Sequence, residues 1–253
     1  MAKDRELHAD FMNAALRELG EQPAGARVLD FGCGLGELVL DLAERGYAME
    51  GCDIDAFWAG RTADVAERCR VIEREPYRLP FEDGRFDAVI SSSVFEHVLN
   101  KREALEELRR VTRVDGVSIH LFPSRWYLPV EPHLRVPFAG WIHPWRPRPW
   151  FALWAALGVR NQDQQGMSRL ETVESNMDYT RRGLSYWTNA RYLREGRKVF
   201  GECTTPAAFL VDHGYGGASE ALRRLPLPSA LGGRLLRHFR MNMLFMRHRG
   251  ASA

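Results

Sequence analysis

Leu7, Phe11, Ala15 and Leu19 recur every four residues and Gly20 follows them, so the first twenty residues read as an amphipathic helix ended by a glycine. The run ARVLDFG at 26–32 then reads as a buried strand. Leu35, Leu38, Val39 and Leu42 form one helical stripe that stops at Gly46, and AMEGCDI at 48–54 is a second strand. The alternation continues through RCRVIE and FDAVISSS. It then passes through a helix with Asn100 as N-cap, Glu103 three residues on and a stripe of Ala104, Leu105, Leu108 and Val111, and on to the strand GVSIHLF. Strands alternating with helices predict an α/β fold, a parallel sheet covered on both faces whose ligands lie beyond the carboxyl ends of the strands.

The pattern breaks at Pro123. Residues 123–154 hold seven of the thirteen prolines and five of the seven tryptophans, a density that regular strands and helices do not tolerate. Residues 155–200 read as helical and polar, and the alternation resumes near TPAAFLVDHGYGG, with MNMLFMR as a last strand. The expected organisation is a single domain over 1–253: a ligand-binding core at 26–122, an inserted lid or acceptor-binding region at 123–200, and the final helix and strands of the sheet at 201–253.

Composition narrows the function. An apolar fraction of 45% in 253 residues supports a buried core. Lys plus Arg number 35 against 33 for Asp plus Glu, without the basic excess of a dedicated nucleic-acid binder. The charge is unevenly placed: no acid follows Glu220, while Arg223, Arg224, Arg234, Arg237, Arg240, Arg247 and Arg249 do. Cys33, Cys52, Cys69 and Cys203 contain no CxxC pair, which argues against a cysteine zinc site or a disulfide framework and fits a reducing cytoplasm. No stretch reaches the ~18 apolar residues of a membrane span.

The chemistry concentrates at the strand ends. Gly32, Gly34 and Gly36 strip side chains from the turn between the first strand and its helix, where a ligand can lie against backbone amides at the helix's positive end. The spacing is GxGxG rather than the dinucleotide GxGxxG, and Asp30 stands two residues ahead. A carboxylate there would repel a pyrophosphate and attract an ammonium, which suits the methionine end of S-adenosyl-L-methionine. Asp53 closes the second strand, placed to accept from ribose hydroxyls. Glu75 follows the third, where it or a backbone carbonyl meets an adenine amino group. His97, just beyond the fourth strand, and His133, in EPHLRVPF, are candidate catalytic bases.

VLDFGCGLGEL, GCDID, LPFEDGRFDAVISSSVFEHV and ALEELRRVTRVDGVSIHLF together resemble the class I S-adenosylmethionine-dependent methyltransferases, in particular the small-molecule branch that contains the quinone methyltransferases. The resemblance covers residues 26–122. It implies a Rossmann-like, seven-stranded, mostly parallel sheet with a reversed last strand, and a cofactor site drawn from Asp30, Gly32, Cys33, Gly34, Gly36, Asp53, Ile54, Glu75, Pro76 and Ser91. Glu75 followed by Pro76 departs from the family's usual Asp and small residue. The expected reaction is methyl transfer to a small-molecule acceptor, first at oxygen, with nitrogen or carbon of a lipid-like or sugar acceptor as alternatives, or cofactor binding without turnover. The absence of a [DN]PP[YF] or Pro-Cys motif at SSSV opposes nucleic-acid methylation. The tryptophans read as a lid or wall for an apolar acceptor, as packing of a core, or as contact with a membrane surface; the terminal arginines read as a solvated basic face or as a site for an anionic acceptor, and no metal is expected.

Overall fold

Seven strands hydrogen-bond into one sheet: β1 (Arg27–Phe31), β2 (Ala48–Asp53), β3 (Cys69–Val71), β4 (Phe86–Ser92), β5 (Thr112–Pro123), β6 (Gly201–Thr204) and β7 (Met241–His248). These assignments come from a computed structural model that describes residues 2–74, 77–142, 145, 148–214 and 217–250. Across the sheet the strands run in the order 3-2-1-4-5-7-6. β1 to β5 are mutually parallel, and β7 is antiparallel to both of its neighbours, as expected for the reversed last strand.

The strands bury both faces. Val28 of β1 packs with Phe11 and Leu16 from the N-terminal helix and Leu42 from the next, while its neighbour Leu29 packs on the opposite side with Leu105 and Leu108. The helices concerned are α1 (Ala2–Ala14), which runs into a π-helical turn at Ala15–Leu19, α2 (Glu37–Glu44) and α4 (Lys101–Val111); α3 (Ala63–Arg68) precedes β3. The cap read from the sequence is present, with Asn100 accepting from the Glu103 amide.

After β5 the chain leaves the sheet. α5 (Ala139–Ile142), α6 (Arg148–Ala156) and α7 (Arg169–Arg182) gather around a third apolar cluster that includes Leu134, Val136, Phe151, Val173 and Tyr186. The excursion ends before residue 200, because α8 (Asn189–Phe200) buries Tyr192 and Phe200 in the core beneath β4 and β5. The polar surface of α8 hides an inward stripe that holds it on the sheet. The last part is also richer than one helix and strands: α9 (Ala207–Asp212), α10 (Gly217–Arg223) and α11 (Ser229–Phe239) precede β7. Among the described residues no helix is long and apolar enough to cross a membrane.

Candidate active site

β1, β2 and β4 run in one direction, so the segments that follow them arrive at the same edge of the sheet, the usual place for a ligand in an open parallel sheet. The turn after β1 is fixed from β2: the amides of Gly32 and Cys33 both donate to the Cys52 carbonyl, at 2.7 and 3.1 Å. Asp53 braces it further. Its Oδ2 accepts from the Gly34 amide at 2.8 Å and its Oδ1 from the Ile54 amide at 2.7 Å.

Two glycines of this turn serve different ends. Gly32 (φ +80°) lies so close to the segment after β4 that a Cβ would stand 2.3 Å from Val94 Cγ2. Gly34 (φ +52°) would place a Cβ within 4 Å of nothing. Its bare face opens on a cleft of about 500 Å3, which runs from Gly34 and Asp53 past Ile54, Phe57, Ile72 and Tyr77 to His97, Tyr179 and Gly183. That volume suits a small-molecule site.

Asp30 sits on the other side of the turn. With Cys33, Leu35 and Ser92 it lines a second hollow of about 220 Å3, and Gly32 is common to both. Burial and then the nearby charge of Asp53 push the Asp30 carboxyl up to about 7. A cation brought beside it would favour the ionised form.

Other sequence-derived candidates fall differently. Ser91 is fully buried, and its hydroxyl pairs with His120 Nδ1 at 2.7 Å; His120 pairs in turn with Ser118 through Nε2. A strand covered on both faces gives no sign in its sequence of which serine faces a ligand, and the cleft is lined by Ser93 instead. Burial pushes His120 down to about 3, which makes it a neutral element of the core. The Cys33 side chain lies against Gly51 and Cys69, away from the larger cleft. Gly36 caps α2 with a positive φ. Glu75 and Pro76 lie outside the described residues.

At the far end of the cleft the histidines meet. The rings of His97 and His133 stand 4.7 Å apart edge to face, with Tyr179 within 6.3 Å of both. His97 Nδ1 lies 2.6 Å from the Gly183 carbonyl, which can only accept, so Nδ1 carries the proton and Nε2 keeps its lone pair. Burial pulls His97 down despite the opposing charge of Glu96. Burial also opposes protonation of His133, but Glu96 and Glu131 outweigh it and the net shift is upward. Glu96, which sequence reasoning passed over, is fully buried between them: its Oε1 is 3.9 Å from His97 Nε2 and 3.7 Å from His133 Nε2.

The tryptophans take a different place from the one expected of a cleft wall. Trp150 donates to the Pro137 carbonyl and packs edge-on against Trp154, filling the insertion itself, and among the described residues no tryptophan lines the cleft. Tyr179 and Gly183, at the end of α7, form that wall. Five of the seven terminal arginines are engaged within the protein: Arg240 with the Leu128 carbonyl and the Tyr127 ring, Arg237 with Thr205, Arg249 with Glu202, Arg247 with Glu21 and Arg224 with Glu220.

Residues 29–120, which supply this strand edge, match the family model described as methyltransferase domain. The likeness is to a methyltransferase domain and covers less than half of the chain. Demethylmenaquinone methyltransferase from Beutenbergia cavernae is 39% identical over 106 residues, 41% of this chain and 42% of that protein. The same enzyme from Roseiflexus castenholzii is 31% identical over 130 residues, 49% of this chain and 52% of that protein. The chain thus spans about half the length of these relatives or less, and the likeness is confined to the cofactor half. A putative methyltransferase solved with the Trm112 activator from Haloferax volcanii shares the fold, with a TM-score of 0.52 over 98% of this chain and 95% of that one at 17% identity. Geranyl diphosphate C-methyltransferase from Streptomyces coelicolor A3(2) gives 0.51 over 96% and 78% at 14% identity. S-adenosylmethionine is the cofactor that the resemblance of the sequence implies. The residues present fit it: a bare glycine beside an acid at the end of β2, and a buried acid across the turn.

Proposed function

We propose that the chain transfers a methyl group to an oxygen of a small acceptor with an apolar body. The observation that carries this reading is the continuity of one cleft from Gly34 and Asp53 to His97 and Tyr179. Asp53 and Ile54 would hold the nucleoside, with Gly34 giving the backbone room; Asp30, across Gly32, would take the ammonium of the amino-acid end. Bound there, S-adenosylmethionine supplies an electrophilic methyl carbon. The chain's own part is alignment, exclusion of water and activation of the acceptor. Phe57, Ile72 and Val98 give the cleft its apolar lining. His97, which lines the cleft and is held by the Gly183 carbonyl, presents the group that would activate an acceptor hydroxyl; His133 does not line the cleft and packs edge to face against His97.

Calorimetry with S-adenosylhomocysteine should show one site per chain. His97→Ala should lower turnover by about 10²-fold or more while leaving that affinity nearly unchanged; unaltered turnover would remove His97 from the reaction. Binding with no methylation across phenolic, amine and carbon acceptors would leave a cofactor-binding protein of the same fold.

A further inference from the structure

The two buried glutamates at the end of the cleft are treated very differently by the fold. Glu131 is satisfied: its Oε2 accepts from the amides of His133 and Leu134 at 2.8 and 2.6 Å, and its Oε1 from the Tyr186 hydroxyl at 3.1 Å. Glu96 is as deeply buried, yet among the described residues neither of its carboxylate oxygens has a hydrogen-bond partner, and His133 Nε2 has none either. A buried carboxylate without donors is costly and rare, so something is expected to share its charge. The local balance points the same way. The buried ammonium of Lys101, which feels the charge of Glu96, donates its Nζ to the Val98 and Ser185 carbonyls rather than to that acid.

We propose that Glu96, His97 and His133 form a binding site for one divalent cation of the first transition row at the acceptor end of the cleft. One ligand atom from each residue lies within 4.8 Å of the others. Donors around a tetrahedral ion at ~2.1 Å stand about 3.4 Å apart, so the 3.7 and 3.9 Å separations need only a small contraction. His97 is preset for the task, since its Nδ1 proton on the Gly183 carbonyl leaves Nε2 as the ligand atom, the arrangement that orients metal-binding imidazoles. Two imidazoles and one carboxylate favour Zn2+, Mn2+, Fe2+ or Co2+ over Mg2+ or Ca2+. Three protein ligands also leave coordination positions free.

The cation site stands on these side chains alone. Its role in catalysis rests on the proposed methyl transfer: an ion here would take the acceptor oxygen and act in place of a histidine base, because one Nε2 lone pair cannot serve both purposes. The ion would also bridge two parts of the fold, since His133 belongs to the insertion and Glu96 and His97 to the segment after β4.

The test uses the full chain freed of metal with a chelator, then titrated with Zn2+ by calorimetry and with Co2+ by visible absorption. Expected are one ion per chain and Co2+ bands of low-coordinate nitrogen–oxygen ligation. Glu96→Gln and His133→Ala should each weaken Zn2+ binding by about 10²-fold or more. His133 is partly exposed, so its variant should fold even if a change at the buried Glu96 does not. Absence of a stoichiometric ion in the parent chain would overturn the proposal, leaving a Glu96–His133 ion pair, and so would variants that bind as the parent does. Titration of the same samples with S-adenosylhomocysteine separates the two readings. An ion without cofactor binding supports the cation site and rejects methyl transfer, whereas cofactor binding without an ion rejects the site alone.

Discussion

Gly32 and Gly34 are two residues apart, and the same substitution should have opposite consequences at them. Gly34→Ala introduces a methyl that meets no atom of the folded chain, so its stability cost is the positive φ alone, about 1 kcal/mol, while the methyl projects toward the cleft. S-adenosylhomocysteine affinity should fall at least about tenfold with little change in the denaturation midpoint. Gly32→Ala drives a methyl into Val94 and should destabilise by roughly 2 kcal/mol or more. Asp30 gives a pH signature. Its folded pKa is raised to about 7, so its contribution to stability is fully present below its unfolded value near 4 and is lost as pH rises through about 7. Between pH 4 and 8 this removes roughly 4 kcal/mol, and Asp30→Asn should abolish that part of the slope in denaturant titrations. That Asp30, Gly34 and Asp53 meet at one edge of the sheet was legible in the sequence because strand ends and glycine turns are local features. Glu96 was not, since its meaning depends on His133, 37 residues away in an insertion without periodic structure.

Helix α4 shows how far local pattern reaches. Its stripe of Ala104, Leu105, Leu108 and Val111 is buried as the 3.6-residue period demands, and its cap is formed. Asn100→Ala should cost about 1 kcal/mol, read from the urea midpoint, without altering cofactor affinity; a cost near zero would show that the Glu103 amide finds another acceptor. Helix α8 escaped the same reasoning. Only Tyr192, Glu195, Gly196 and Phe200 of its twelve residues are buried, so arginines and lysine mask the stripe, and the proline-rich stretch upstream made the whole region read as one insertion. The tryptophans left three readings open, a wall of the cleft, a core or a membrane contact, and Trp150 and Trp154 pack against the core of the insertion itself.

The molecule as a whole has two cores on the faces of its sheet and a third within the insertion. Phe151→Ala, at a fully buried position of the third, should cost about 3–5 kcal/mol. Methyl transfer should drop while S-adenosylhomocysteine affinity stays within about twofold, because distant sites without shared partners behave independently. A parallel loss of affinity would show that the cores act as one unit. The alternation that predicts the sheet survives in sequence because every crossover repeats it. The geometry of the insertion rests on contacts such as Arg240 with the Leu128 carbonyl, which join residues more than a hundred positions apart and leave no periodic trace.

The excursion departs after Pro123, is pinned where Ser124 donates to the His238 carbonyl and the Ser185 amide to that of Glu96, and carries its own packing between those points. One contiguous stretch of gene can therefore be exchanged for another with the methyl-donor machinery untouched. If the chain transfers methyl groups as proposed, evolution, or a laboratory library restricted to codons 124–187, has a ready cassette in which to diversify the acceptor.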